Sequence, residues 1–352
     1  MKAVRLYKAG DLRVEDVELT PLKPLEVLVK TKYVGVCGSD IPRVLREGAH
    51  KAPLTIGHEF SGEVVDIGSD VVGWQKGARV TAPPLIPCNT CTWCQEGEYS
   101  LCSEYNYLGS RTDGAMAEFV KVPVTNLLLL PDKVSFRQGA LTDPAANAMH
   151  AIIRGCGITS NDSVAVFGLG SIGLFAVQIA KILGSDTIAA IDIESSKVEL
   201  AKKLGANIGI NSSLDDPIET LNSLTNGRGM SLVLDMSGSP IAQNQAVLAA
   251  AKRGRVVYVG ISHSKLELSD ASVDRLLRYE ITISGSWNSF SAPFPGREWT
   301  DALGYMERGL LLADPIVSYE FSLDQAPSVF DQIRDKSITF NKILFTPEAR
   351  VL

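Results

Sequence analysis

The sequence contains no run of eighteen apolar residues, so no membrane-spanning helix is expected. It also lacks an excess of positive charge. Lys and Arg number 34 against 40 Asp and Glu, a formal net charge of −6. An acidic chain makes nucleic acid or an anionic membrane surface a poor main partner. The opening residues, MKAVRLYKAGDLRVEDVEL, have no apolar stretch ending in a small-residue cleavage pattern, so no secretory leader is expected. No repeat with a period of about 20–50 residues and no low-complexity tract is present. Histidine is scarce, four in 352 residues, which makes the place of each one informative. What remains is an ordinary globular composition, 45% hydrophobic and 21% charged. The length suits two domains of about 100–200 residues each.

Six cysteines in a chain without a leader point to a reducing, cytoplasmic setting and to metal. Four of them, Cys88, Cys91, Cys94 and Cys102, follow a C-x2-C-x2-C-x7-C spacing. Four thiolates this close complete a tetrahedral zinc site with no open position, which folds a loop and does not catalyse. The expectation is a structural zinc lobe over residues 85–105. Two disulfides fit poorly with a chain that has nothing else of a secreted protein. Cys156, in the loop-like segment IRGCGI, lies outside this group and is read as structural.

Residues 1–146 carry short alternating segments such as VRLY, EVLVKTKYVGV and AEFVKV, punctuated by Gly and Pro. This pattern predicts an antiparallel, barrel-like β domain. Two motifs within it bear chemistry. GVCGSD contains Cys37 and Ser39, and GHEFSG contains His58 and Glu59. A lone Cys is usually a small buried hydrophobe, and a lone His is usually just hydrogen-bonded. Together, a thiolate, an imidazole and a carboxylate suit zinc with room left for water or substrate. A second, catalytic metal site is therefore expected at Cys37, His58 and Glu59.

Residues 147–285 change to strand–helix units. Gly168, Gly170 and Gly173 form G-x-G-x-x-G after the strand Val164–Phe167 and open an amphipathic helix through Ser171 and Ile172. The string is weak alone, but here a second strand follows, TIAAIDI, ending at Asp192. The glycines let backbone approach a pyrophosphate, which the helix N-terminus stabilises. A carboxylate at Asp192 accepts ribose 2′-hydroxyl bonds and repels a 2′-phosphate, which favours NAD over NADP. Lys197 is a further candidate near the adenosine ribose, although a helix lysine is more often plain surface. Six parallel-type segments in all predict a doubly wound α/β nucleotide domain. Residues 286–352 return to loop, then a helix over TDALGYMERGLL, a helical SLDQAPSVFDQIRD and a closing strand NKILF.

In this order, GVCGSD, GHEFSG, the four-cysteine lobe and the nucleotide motif resemble the zinc-containing medium-chain dehydrogenase/reductase family, in its polyol dehydrogenase branch. The resemblance covers essentially the whole chain. It implies a GroES-like β-barrel catalytic domain built from residues 1–146 and 286–352, and a Rossmann cofactor domain over residues 147–285. It implies an active site in the cleft, NAD and zinc as cofactors, and a homodimer or homotetramer. It assigns Cys37, His58 and Glu59 to catalytic zinc. Where the branch usually has a second metal-shell Glu before Pro, this chain has Asp143, one methylene shorter, which the resemblance places in the catalytic zinc shell, directly or through water; its alternative role is to cap the following helix. The resemblance gives Ser39 the first step of a proton relay. Pro42 stands where a histidine often continues the relay, so ribose or water must do so here.

The activity implied is oxidation of a secondary alcohol of a polyol phosphate, such as galactitol 1-phosphate or a pentitol phosphate. Arg43, Lys51, Arg111 and, with less support, Arg297 are the candidate phosphate ligands, with solvated surface charge as the alternative for each. Free polyols or diols are a second substrate class. A non-catalytic zinc-binding protein is a third reading, opposed by the acidic charge and the complete Cys37, His58, Glu59 set.

Overall fold

The computed structural model describes residues 1–347. Contacts divide the chain into two compact units. The first holds the residues up to Asp143, together with Phe290–Arg308 and the C-terminal segment from Ile316. The second holds Pro144–Ser289 and Gly309–Pro315.

The strand Glu26–Gly35, EVLVKTKYVG, is the spine of the first unit. Its β-branched residues suit a pleated surface, and it pairs antiparallel with Glu59–Ile67, Phe119–Pro123 and Lys342–Thr346. The seven-stranded sheet so formed encloses a core that includes Val29, Val34, Phe60, Met116, Ile343 and Phe345. Burying a side chain of this kind stabilises by about 1.5–3 kcal/mol. The spine holds the strand that starts at Glu59 on one side and the strand that starts at Lys342 on the other, although these lie far apart in the sequence. The helix after PFPG begins at Arg297 and ends at Glu307, three residues earlier at its start than the pattern TDALGYMERGLL implies. Gly296, with φ of 109°, is the residue before it.

The second unit is a six-stranded sheet with every pairing parallel. Across it the strands run Ile208–Asn211, Thr187–Asp192, Ser163–Phe167, Met230–Asp235, Ala250–Tyr258, Thr282–Gly285. This is the doubly wound order, with the reversal beside Ser163–Phe167. Its central strands Ser163–Phe167, Thr187–Asp192 and Met230–Asp235 are nearly continuous apolar runs, as expected for a parallel sheet. Ala165, Phe167, Ile191, Val233 and Val256 are buried in one cluster with Val247 of the helix Pro240–Ala249. The Gln178 side chain donates to the Leu312 carbonyl at 3.1 Å and accepts from the Leu312 N–H at 2.7 Å. That pair of bonds ties Gly309–Pro315 to this unit. Cys156 is exposed, with φ of 63°, just past the helix Thr142–Arg154. It is not a core residue, because the loop turns its side chain to the surface.

Candidate metal and nucleotide sites

The four lobe cysteines bring ligand atoms within 4.8 Å of one another. Cys88 and Cys94 sulfurs are 4.0 Å apart, as are those of Cys91 and Cys102. A disulfide needs about 2.05 Å. A tetrahedron of sulfurs about 2.3 Å from a zinc ion has an edge near 3.8 Å, so the set fits the ion and not a pair of disulfides. Hydrogen bonds from the Thr90 hydroxyl and backbone draw the Cys88 thiol down to about 6. Burial pushes Cys94 up to about 12. The lobe is fastened to the first unit by aromatic packing. Tyr99 meets Phe294 edge-on at 5.2 Å, and Phe290 stacks on Phe294 and on Trp299. Ser100 Oγ also accepts from the Phe290 N–H at 3.0 Å.

The second set is Cys37, His58 and Glu59, again with ligand atoms within 4.8 Å. Asp40, three residues after Cys37, is fully buried and builds this site from one turn. It accepts from the Cys37 N–H at 3.0 Å and from Arg43 at 3.1 Å, and lies 3.7 Å from His58 Nδ1. His58 Nδ1 is buried without a hydrogen-bond partner. Burial, with Glu59 and Asp40 nearby, pushes the Cys37 thiol far up. A soft thiolate, an imidazole and a carboxylate confined this way fit a divalent cation, which would hold the thiol deprotonated. Ser39 Oγ donates to Cys37 Sγ at 3.3 Å. It precedes a short helix without capping it, so its hydroxyl is not used up as a turn cap.

Asp143 stands outside that three-residue group but close to it. It lies in the first turn of the helix Thr142–Arg154, which starts before it, rather than at the helix cap. It is 5% exposed, and burial pushes its carboxyl up to about 7, with His58 opposing and Glu59 adding to the rise.

Sequence reasoning missed two residues here. Tyr107 faces His58, and Lys342 pairs with Glu59. Burial opposes the charge on Lys342, but the Glu59 carboxylate, helped by the neighbouring Cys37, outweighs it and holds the ammonium above its ordinary range. The signal for Tyr107 was the adjoining LGSRTDG. A Cβ on Gly114 would lie 2.1 Å from the Gly57 carbonyl, and one on Gly109 would lie 2.4 Å from it. Bare backbone at these positions lets the 107–114 turn close on GHE. Nothing local marks Lys342.

The candidate basic residues are distributed as follows. Arg43 is tied to Asp40 and, through Nη2, to Ser110 Oγ at 3.1 Å. Arg111, the next residue, is exposed and stacks over Tyr105 at 4.3 Å. Lys51 is exposed. Arg297 is exposed and pairs along its own helix with Asp301 at 3.1 Å.

In the second unit, a Cβ on Gly173 would lie 2.0 Å from the Gly168 carbonyl, so only glycine permits this turn. A Cβ on Gly170 would meet no atom within 4 Å, leaving open space in front of the helix Ser171–Ile182. Ser171 and Ile172 form its first turn. Asp192 Oδ2 accepts from the Leu169 N–H at 2.7 Å and Oδ1 from the Glu194 N–H at 3.0 Å. The carboxylate is thereby aimed beside the glycine turn. Lys197 is half-buried in the helix Ser195–Leu204. Open backbone at a helix N-terminus next to a fixed carboxylate fits a dinucleotide.

A model of the alcohol dehydrogenase GroES-like domain matches residues 23–132, and one of zinc-binding dehydrogenases matches residues 171–304. Galactitol 1-phosphate 5-dehydrogenase of Escherichia coli K12 is 36% identical over 350 residues, which cover 99% of this chain and 100% of that one. The chain belongs to the zinc-binding dehydrogenase family. The crystal structure of galactitol-1-phosphate dehydrogenase from Escherichia coli matches the dehydrogenase with a TM-score of 0.94 at 36% identity, covering 99% and 100% of the two chains. A zinc-binding dehydrogenase from Sinorhizobium meliloti, solved bound to NADP, gives 0.89 at 31% identity, covering 98% and 99%. Sorbitol dehydrogenase of Halalkalibacterium halodurans is 34% identical over 336 residues, 95% of this chain and 94% of that one. The first unit of the dehydrogenase thus has the GroES-like fold and the second the Rossmann-type fold. Among the described residues, no helix is long and apolar enough to cross a membrane.

Proposed function

We propose that this dehydrogenase oxidises a secondary alcohol of a polyol phosphate, galactitol 1-phosphate or a pentitol phosphate, to the keto-sugar phosphate, with NAD as acceptor. One hydride and one proton leave the carbinol. The observation that carries the reading is the 3.1 Å bond from Arg43 to Ser110, next to Arg111, on the same turn as Tyr107, whose ring meets His58. A guanidinium beside the reacting alcohol suits a phosphate on the substrate. The full-length similarity to a galactitol 1-phosphate dehydrogenase supports the same class.

Zinc held by Cys37, His58 and Glu59 would polarise the alcohol oxygen as a Lewis acid, and NAD in the Rossmann unit would accept the hydride. The chain's own residues do the rest. Asp40 orients Cys37 through its N–H and restrains His58. Ser39 accepts the alcohol proton while its own passes to water, since Pro42 offers no onward group. Asp143 supplies a shorter carboxylate at the edge of the metal set. Gly170 leaves room for the pyrophosphate, and Asp192 accepts ribose hydroxyls and repels a 2′-phosphate.

The exposure of Lys51 and the pairing of Arg297 with Asp301 favour the second reading, a dehydrogenase of free polyols or diols. The test is NAD reduction by the zinc-replete protein on matched pairs of polyols and polyol phosphates. Higher kcat/KM on the phosphorylated member, lost in Arg111→Ala mainly through KM, is the expected result. A preference for free polyols selects the second reading, and no turnover with either overturns both.

A further inference from the structure

Lys342 Nζ donates to Glu59 Oε2 at 2.5 Å and to the Val36 carbonyl at 2.9 Å. The two side chains are 3% and 2% exposed, and 283 residues separate them in sequence. Gly35 lies between their strands and pairs with Glu59. A Cβ at Gly35 would lie 2.6 Å from Glu59 Oε2 and 3.4 Å from Lys342 Cδ. The backbone of Gly35 is ordinary extended strand, so glycine is needed there for space and not for conformation. The fold therefore reserves room for this ion pair.

Glu59 also offers a ligand atom to the Cys37 and His58 set. One buried carboxylate thus pairs with an ammonium and also faces the candidate metal set. We propose that Lys342 is a positioning residue for the metal site: it is the counter-ion of Glu59 when the site is empty and competes for that carboxylate when a divalent cation is bound. The proposal rests on the reading of Cys37, His58 and Glu59 as a metal site. Two effects act in the same direction. Without the ammonium, Glu59 in the metal-free protein is a buried anion with no partner, which is costly. With the cation bound, the ammonium repels it at short range in a poorly screened interior. Both make Lys342 favour release, and so keep the metal exchangeable rather than locked in.

The test uses the full chain loaded with Co2+. The one-thiolate site at Cys37 and the four-thiolate lobe give charge-transfer bands of different intensity, so release of each to excess EDTA is followed separately. Lys342→Met is expected to slow release from the one-thiolate site by about tenfold, the scale on which neighbours of metal ligands act. The lobe rate should not move. Lys342→Arg should restore the wild-type rate, and the effect should shrink in a Glu59→Gln background, where only the repulsion between ammonium and cation remains. Lys342→Gln keeps a hydrogen-bond donor to Glu59 without the charge, and should also slow release; it carries the test if Lys342→Met does not fold. Unchanged or faster release in the variants overturns the proposal. Absence of any one-thiolate band in the wild type overturns the metal site and the proposal together, and so is told apart.

Discussion

The ring of Tyr107 meets that of His58 edge-on, with centroids 5.5 Å apart and planes 74° apart. Burial drives the phenol pKa well up, and negative charge carried by nearby Asp143, Cys37 or Glu59 adds to it. The hydroxyl is therefore protonated near neutral pH and can donate a hydrogen bond. Tyr107→Phe should keep the packing against His58 and remove the donor. The expected result is a kcat/KM lower by about 3–10-fold, the value of one net hydrogen bond. Tyr107→Ala should lose more, because the His58 ring loses its neighbour, and metal content should fall with it. Steady-state kinetics with metal analysis reads both.

The lobe is a folding unit of the first domain. Cys94 is buried, and its neighbours Tyr99 and Ser100 hold the segment that carries Phe290 and Phe294. Cys94→Ser should cost one zinc per chain. The melting temperature should fall by about 5–10 °C, since losing a structural ion loses folding free energy directly. Metal analysis and calorimetry check it. An unchanged melting temperature with one zinc missing would show that the lobe is not tied to the domain's stability.

Asp192 tests the cofactor assignment. Its carboxylate is oriented by two backbone N–H groups. Asp192→Asn keeps its size and removes its charge. NAD kcat/KM should fall by about 10–100-fold, the range for hydrogen bonds to a charged group, while the NADP value holds or rises. Initial rates with both nucleotides decide it.

The second unit carries a pH-sensitive brace. Arg255 donates to the Gly155 and Gly157 carbonyls at 2.8 and 3.0 Å and to Asp162 at 2.6 Å. Burial alone would raise the Asp162 carboxyl, but bonds from Thr159 and the Arg255 charge outweigh it and hold the pKa below its ordinary value. A depressed acid pKa adds stability that is complete above the unfolded value, near pH 4, and is lost as pH falls through the folded value. Asp162→Asn should cost about 1–3 kcal/mol near pH 7. The difference from wild type should shrink below about pH 4. Denaturant melts at several pH values check the sign.

The grouping of the lobe cysteines, of His58 with Glu59, and of the glycine turn with Asp192 was legible in the sequence because those residues are local. The lobe cysteines span residues 88–102, His58 and Glu59 are adjacent, and the glycine turn precedes Asp192 by one helix. Spacing along the chain is then spacing in space, and Cys37 joins His58 and Glu59 only through the fold. The change from alternating segments to strand–helix units similarly announced two architectures, since side-chain period follows backbone geometry. The helix boundaries at Thr142 and Arg297 and the exposure of Cys156 were less legible, because tertiary packing sets where a helix begins and which face a loop residue takes.

What the tertiary structure alone decided is the company those ligands keep. Lys342 reaches Glu59 because Glu26–Gly35 pairs with strands from both ends of the chain. Arg43 meets Ser110, and Tyr107 meets His58, because Gly57, Gly109 and Gly114 let two loops approach backbone to backbone. No periodicity or motif encodes such pairings. They follow from strand order and from the absence of a Cβ at a few contact points, and those exist only once the sheet has formed.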